Sequence, residues 1–318
     1  MFWRPFHILA GLIALSSLAA APAMADIAPP HASASSDTQL EQGAPQPAIW
    51  LLSDSDTRIW LFGTTHVLPS NFAWRSPDLD AIIAEVDELV LETSDEEVLA
   101  KPSLISGMME REAPLSILSR ISPEYRYRLQ LMVKGLPIAL EQLDGLETWA
   151  VGFLLIGMSS GDIYGDPETG GELSGVEEQL TEIFTGIDKP ISGVETSLGQ
   201  LGFLRSISED GQREFLEALV ETAVLPEEGE EEIDPVRDPW VSGDVAMLDS
   251  ECDNEQNFPP ELQEVLLRQR NLNWIEWLID RLDRPGDVLF AVGACHLAGS
   301  VSVQSMLAER GLSAERVH

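Results

Sequence analysis

The chain has 318 residues, 44% of them hydrophobic and 23% charged, enough apolar material for a core, which excludes a disordered or fibrous polypeptide. Lys and Arg number 19 against 54 Asp and Glu, a formal net charge of -35. So acidic a surface repels phosphate backbones and anionic headgroups alike, which argues against nucleic acid or a membrane surface as partner.

From the N-terminus, Arg4, the uncharged stretch Ile8–Ala20 and the small residues Ala23-Met24-Ala25 read as a signal peptide over residues 1–25, cleaved after Ala25. The apolar stretch is too short for a comfortable span, and so is the later run Trp149–Met158. The expected product is periplasmic or secreted and keeps no stable membrane span. Residues 26–47, rich in Ala, Ser, Pro and Gln without hydrophobic periodicity, read as a flexible tether, and one folded domain is expected over residues 48–318.

Within that domain, Ala48–Ser53 and Arg58–Phe62 are β-rich runs joined by Asp54-Ser55-Asp56-Thr57, a hairpin pattern. Pro77 opens an amphipathic helix through Leu79, Ile82, Ile83 and Val86. Glu88–Leu91 is a short strand ending at Glu92, and helical spacing broken by Pro and Gly then fills an insertion from about residue 95 to 180. Lys189–Val194 is a further strand, ending at Glu195, and the acidic run Pro226–Asp234 reads as an exposed loop. Leu262, Val265, Leu266, Leu272, Ile275, Ile279 and Leu282 form the stripe of a long helix stopped by Pro285-Gly286. Asp287–Val292 is a strand, and Val301–Arg310 a helix closed by Gly311. The fold class is α/β: a central mixed sheet flanked by helices, with a helical insertion and a site at the carboxyl ends of strands.

Five His occur, at positions 7, 31, 66, 296 and 318. Setting aside the leader, the tether and the last residue leaves His66 and His296, and each ends a Gly-x-x-His after an apolar strand: Gly63–His66 and Gly293–His296. Glycine there permits unusual backbone angles and close approach to the main chain. In α/β sheets the ligand crevice lies outside the strand carboxyl ends, where His66, Glu92, Glu195 and His296 are all expected. Two imidazoles and a carboxylate form a common set of ligands for a catalytic divalent transition metal such as Zn, Mn or Co. A second carboxylate, Glu195, is then available as general base. Arg270 would neutralise an oxyanion or pair with a site acid.

Plainer roles exist for the same residues. Glu92 would equally cap a helix near Asp95–Ala100, Glu195 with Gln200 a strand-to-helix turn, and Arg270 would make a surface ion pair. Trp240, Gly243 and Asp244 suit a loop and helix start, and Trp274 and Trp277 suit packing. Cys252 and Cys295 are the only cysteines. A bridge between them is possible in an oxidising compartment, but the polar stretch around Cys252, Asp249–Asn257, and the place of Cys295 at the end of an apolar strand favour two free or semi-buried thiols. No Gly-x-Ser-x-Gly, P-loop or His-Glu-x-x-His occurs.

The segments IWLFGTTH, DELVLET, KPISGVETSLGQLGFL, WVSGD, RQRN and AVGACHLAGSVSVQSMLAERGL, in that order, resemble the TraB/GumN family, bacterial relatives of the Tiki metalloproteases. The likeness runs from about Ile49 to the C-terminus. It implies that His66, Glu92 and His296 form a metal site and that the activity is that of a metal-dependent peptidase on a peptide or protein substrate. The family is also similar in fold to haem-binding and erythromycin esterase-like proteins. The alternative is thus a non-catalytic periplasmic binding protein for haem, metal or peptide on the same fold.

Overall fold

The computed structural model describes residues 45–69, 72–94, 102–160, 174–222, 237–255 and 259–318. The expected signal peptide, most of the tether, the acidic run Pro226–Asp234 and the helix near Asp95–Ala100 lie outside the described residues.

Strands β1 (Ile49–Ser53) and β2 (Thr57–Thr64) form the expected antiparallel hairpin, and Asp54 closes its turn by accepting from the Thr57 amide at 2.9 Å. Helix α1 (Pro77–Glu85) starts with Pro at its first position behind Ser76, whose side chain accepts from the Leu79 amide, and buries Leu79, Ile82 and Ile83. β3 (Glu88–Leu91) follows. The insertion then supplies α2 (Pro102–Met109), α3 (Arg126–Lys134), α4 (Thr148–Ser160) and α5 (Val176–Gly186) before β4 (Ile191–Gly193).

Next come α6 (Ser197–Ser206), α7 (Glu209–Thr222), α8 (Arg237–Ser242), α9 (Val245–Cys252) and α10 (Pro260–Gln263). A π-helical turn, Glu264–Arg268, joins α10 to α11 (Gln269–Leu282), so the single long helix expected from its stripe contains a widened turn. β5 (Gly286–Gly293), α12 (Val303–Glu309) and a short β6 (Glu315–Arg316), which the sequence pattern did not suggest, complete the chain.

The strand order is β4-β3-β5-β2-β1-β6. β4, β3, β5 and β2 run parallel, while β1 is antiparallel to both β2 and β6. Parallel strands are covered on both faces and read as unbroken apolar runs. Val288, Leu289, Phe290, Ala291 and Val292 of β5 are accordingly all fully buried. Phe62, Leu89, Leu91, Leu289 and Ala291 face one apolar layer, and Ile59, Leu61, Val90, Phe290 and Trp274 face the other. Thr64 pairs with Gly293 and Leu91 pairs with Gly193, so the strands stop on one edge of the sheet. Among the described residues no helix is long and apolar enough to cross a membrane.

Candidate functional site

That shared edge brings together residues from segments far apart in sequence. His66 lies just past β2, Glu92 just past β3, Glu195 just past β4, and His296 in the 3-10 turn Ala294–His296 that follows β5. The β3–β4 pairing continues beyond the strands: the Val194 amide donates to the Leu91 carbonyl at 2.8 Å and the Glu195 amide to the Glu92 carbonyl at 2.9 Å. Glu195 is thereby set beside Glu92. The helix start that follows is capped by Thr196, whose hydroxyl accepts from the Gly199 amide, so neither Glu195 nor Gln200 serves as that cap.

Arg270 stands at the centre of the cluster and is 1% exposed, which corrects the idea of a surface ion pair. Its Nε donates to Glu195 Oε1 at 2.8 Å, and its Nη2 donates to Glu92 Oε2 and to Glu195 Oε1. Its Nη1 donates to the Leu266 carbonyl at 3.2 Å and to His296 Nε2 at 3.1 Å. All five guanidinium N–H groups are thus occupied. The π-helical turn that ends two residues earlier supplies that carbonyl, in keeping with the tendency of such turns to fall at sites. Gln200 Nε2 donates to Glu92 Oε2 at 3.0 Å and to Glu195 Oε1 at 2.9 Å, bridging the two carboxylates.

Burial by itself would push the Glu92 carboxyl up. The attraction of Arg270, with the Gly293 amide donating at 2.8 Å, outweighs it and holds Glu92 well below the usual carboxylate range. Burial likewise works against the Arg270 charge, and Glu92 and Glu195 overcome it. His296, 4% exposed, is pushed far below the ordinary imidazole range by burial and then by Arg270. It is neutral, so its 3.7 Å approach to Glu92 Oε1 is not an ion pair.

The His296 tautomer follows from Asn271. Asn271 Nδ2 donates to the carbonyls of Val301 at 2.7 Å and His296 at 3.4 Å, which turns Oδ1 toward the ring. His296 Nδ1 donates to that oxygen at 2.6 Å, and Nε2 keeps its lone pair toward the cluster. His66 is arranged alike by a different element: its Nδ1 lies 2.7 Å from Glu177 Oε1. Its Nε2 lies 3.2 Å from where a Cβ on Gly293 would sit, with Glu92 Oε1 at 3.1 Å and His296 Cδ2 at 3.6 Å from the same point. These distances place His66 Nε2 and His296 Cδ2 no more than about 7 Å apart, so the two rings share one side of Gly293.

The first Gly of each Gly-x-x-His is thus needed for close approach and not for unusual backbone angles. Neither Gly63 nor Gly293 is among the positive-φ glycines. A Cβ on Gly63 would stand 3.1 Å from the Ala294 backbone, and Trp240 Nε1 pins the Gly63 carbonyl at 2.7 Å. Asp244 caps α9 through the Met247 amide, as a helix start should. At Gly293 the atoms in the way are themselves tied into the cluster and cannot yield cheaply. Gly293→Ala is expected to cost about 1–3 kcal/mol in a urea titration, whereas Gly145→Ala, with nothing within 4 Å of its Cβ, should leave the midpoint in place.

The two cysteines correct the expectation of semi-buried thiols: Cys252 and Cys295 form a disulfide, with Cα atoms 5.4 Å apart. Both are buried. Cys295 also lies in the 3-10 turn and not at the end of a strand. The bridge ties the end of α9 to the residue before His296. Asp249 accepts from the Gly299 amide and Asp253 from the Ser300 amide, adding two more tethers between the same segments. Trp274 lies against the His296 ring, centroids 4.2 Å apart, with Arg270 at 4.9 Å from its ring. It therefore packs, as expected, but on the site.

Among the described residues no three His, Cys, Asp or Glu side chains stand at the mutual distances of a formed metal cage, because Arg270 engages both His296 Nε2 and Glu92. The donor chemistry nevertheless suits a divalent cation. His296 is neutral, as ligation requires, and beside it Glu92 and Glu195 share the single Arg270 guanidinium while Glu177 meets the His66 ring, so carboxyl groups outnumber guanidinium groups at the site. A family model described as the TraB/PrgY/gumN family matches residues 48–316. Comparison with curated proteins and with solved structures gave no match.

Proposed function

Since the chain belongs to the TraB/PrgY/gumN family, we propose that it is a metal-dependent hydrolase, specifically a peptidase, centred on His66, Glu92 and His296. One observation carries this reading. Two imidazoles from segments far apart in the chain meet beside Glu92 at the edge of Gly293, and each has its Nδ1 held by an oxygen acceptor. Such outer hydrogen bonds are the usual support of metal-binding histidines. A bound divalent ion would supply a water acidified toward neutral pH and a Lewis acid for a carbonyl.

The chain's own residues do the rest. Asn271 sets the His296 tautomer. Gln200 and Arg270 hold the Glu92 and Glu195 carboxyl groups side by side and Arg270 keeps Glu92 ionised in a buried place, while the guanidinium offers a fixed positive charge where an oxyanion would develop. Glu195 Oε1 accepts from both Arg270 and Gln200, so in this arrangement it acts as a counter-charge more than as the general base its position suggested. The disulfide suits an oxidising compartment and supports the reading of an exported protein.

The test is titration of the purified chain from Asp26 onward with Zn²⁺, Mn²⁺ and Co²⁺ by calorimetry, followed by digestion of an unbiased peptide library. His66→Ala and His296→Ala are each expected to weaken binding by at least ~100-fold and to abolish cleavage. Binding unchanged by either substitution would move the metal to the surface carboxylates. Binding without cleavage would favour a binding protein on the same fold.

A further inference from the structure

One side chain at the site lies outside every motif discussed for the sequence. We propose that Glu177 is the positioning residue for His66, an inference that rests on the reading of His66 as a working group of the site. The start of α5 is laced to the segment after β2 by backbone bonds: the Ser174 amide donates to the Leu68 carbonyl at 2.9 Å and the Val176 amide to the Thr65 carbonyl at 3.0 Å. Gly175 between them has no room for a Cβ, which would fall 2.6 Å from the His66 carbonyl oxygen. This close docking delivers Glu177, in the first turn of α5, to the far side of the His66 ring from Glu92.

Glu177 Oε1 there accepts from the Thr64 hydroxyl and from His66 Nδ1, the latter at 2.7 Å. A carboxylate only accepts, so Nδ1 carries a proton, and in the neutral ring the lone pair then falls on Nε2, the nitrogen that faces Gly293. Asn271 imposes the same state on His296 from an unrelated helix. Two different acceptor types on two different elements produce one outcome, which a chance surface contact would not do. Glu177 meets the ring at Nδ1, while it is Nε2 that faces Gly293 and Glu92. Its action passes through the ring.

Tautomers can be read in the metal-free protein from ¹H–¹⁵N correlation spectra of ¹⁵N-histidine-labelled chain at about pH 8.5, where an ordinary imidazole is neutral. The His66 signals are assigned by their loss in His66→Gln. The expected result is an Nδ1–H ring in the wild type and in Glu177→Gln, whose amide oxygen still accepts. In Glu177→Leu the ring should shift toward the Nε2–H form that free imidazole prefers. Thr64→Val, which removes only the second donor, should leave the ring as in the wild type. Zn²⁺ affinity should fall about 10–100-fold in Glu177→Leu and be largely restored in Glu177→Gln.

An Nε2–H ring in the wild type would overturn the assignment, and that spectrum is decisive even if Glu177→Leu fails to fold. An unchanged Nδ1–H ring in folded Glu177→Leu would overturn it too. A chain with the expected tautomers that binds no Zn²⁺ and cleaves nothing would sink the hydrolase reading while upholding Glu177 as the residue that orients His66.

Discussion

Replacing Arg270 by leucine is expected to remove about 3–5 kcal/mol of stability at neutral pH, the usual consequence of deleting one partner from a buried ionic cluster. The loss should match that of a large core truncation, because two carboxyl groups, Glu92 and Glu195, are left together with Gln200 between them. The pH dependence identifies the cause. In the wild type Glu92 is held below the usual carboxylate range, so its contribution is present above that range and is lost as pH falls through its lowered value. Without Arg270 the burial effect is left largely unopposed and pushes Glu92 upward, so the variant should lose stability as pH rises and recover as the carboxyl takes up a proton. Urea midpoints for both proteins at about pH 7.5 and about pH 4.5 measure this. The deficit should shrink at the lower pH, and a deficit of equal size at both would mean that Arg270 acts through packing alone. Arg270→Lys restores the charge but not the five-pronged geometry, and should recover only part of the loss.

The second large effect belongs to the disulfide. Cys252 and Cys295 are 43 residues apart in sequence, and closing a loop of that length in the unfolded chain is worth about 4 kcal/mol in the chain-entropy treatment. The double substitution Cys252→Ala and Cys295→Ala should therefore lower the urea midpoint by a corresponding amount, alanine being chosen because a serine hydroxyl would be buried at both places. A reducing agent should shift the wild type and leave the double variant unmoved. Equal midpoints for the two proteins under oxidising conditions would show that the tethers from Asp249 and Asp253 suffice. Those tethers predict that the turn around His296 keeps its shape in the folded double variant, so stability should fall more than metal affinity.

Much of the frame was legible in the sequence because parallel strands leave continuous apolar runs: β2, β3 and β5 stand out, and the chemistry falls just beyond their ends. The helical insertion and the Pro77 and Pro285-Gly286 boundaries were readable from local geometry. Arg270 was harder. At four-residue spacing it shares a helical face with Leu266 and Trp274, which places it inward, yet its charge suggested the surface until Glu92 and Glu195 supplied the counter-charge. Cys252 misled for a related reason, since its acidic neighbours Asp249 and Asp253 turn to the amides of Gly299 and Ser300 while the thiol side faces the core. Glu177 carried no signal at all: beside Glu178 in the first turn of a helix it is one acid among many, and only the docking of α5 separates them. The structure also alters how Glu92 should be probed. A neutral isostere there leaves Arg270 short of a buried partner, so Glu92→Gln will disturb folding as well as chemistry.

The place of β5 has a consequence for how the molecule is made. It lies between β3 and β2 although it follows both in the chain, so during synthesis β2 with β1 and β3 with β4 exist as separate pieces, each showing an unpaired apolar edge. Joining them requires closure across most of the sequence, an intrinsically slow step, and it falls to one eight-residue strand that leaves the ribosome late. The same insertion brings Gly293 between the ends of β2 and β3 and completes the cluster. No product of translation that stops before β5 can hold His66, Glu92 and His296 together, and the cluster comes into being only when that strand is inserted.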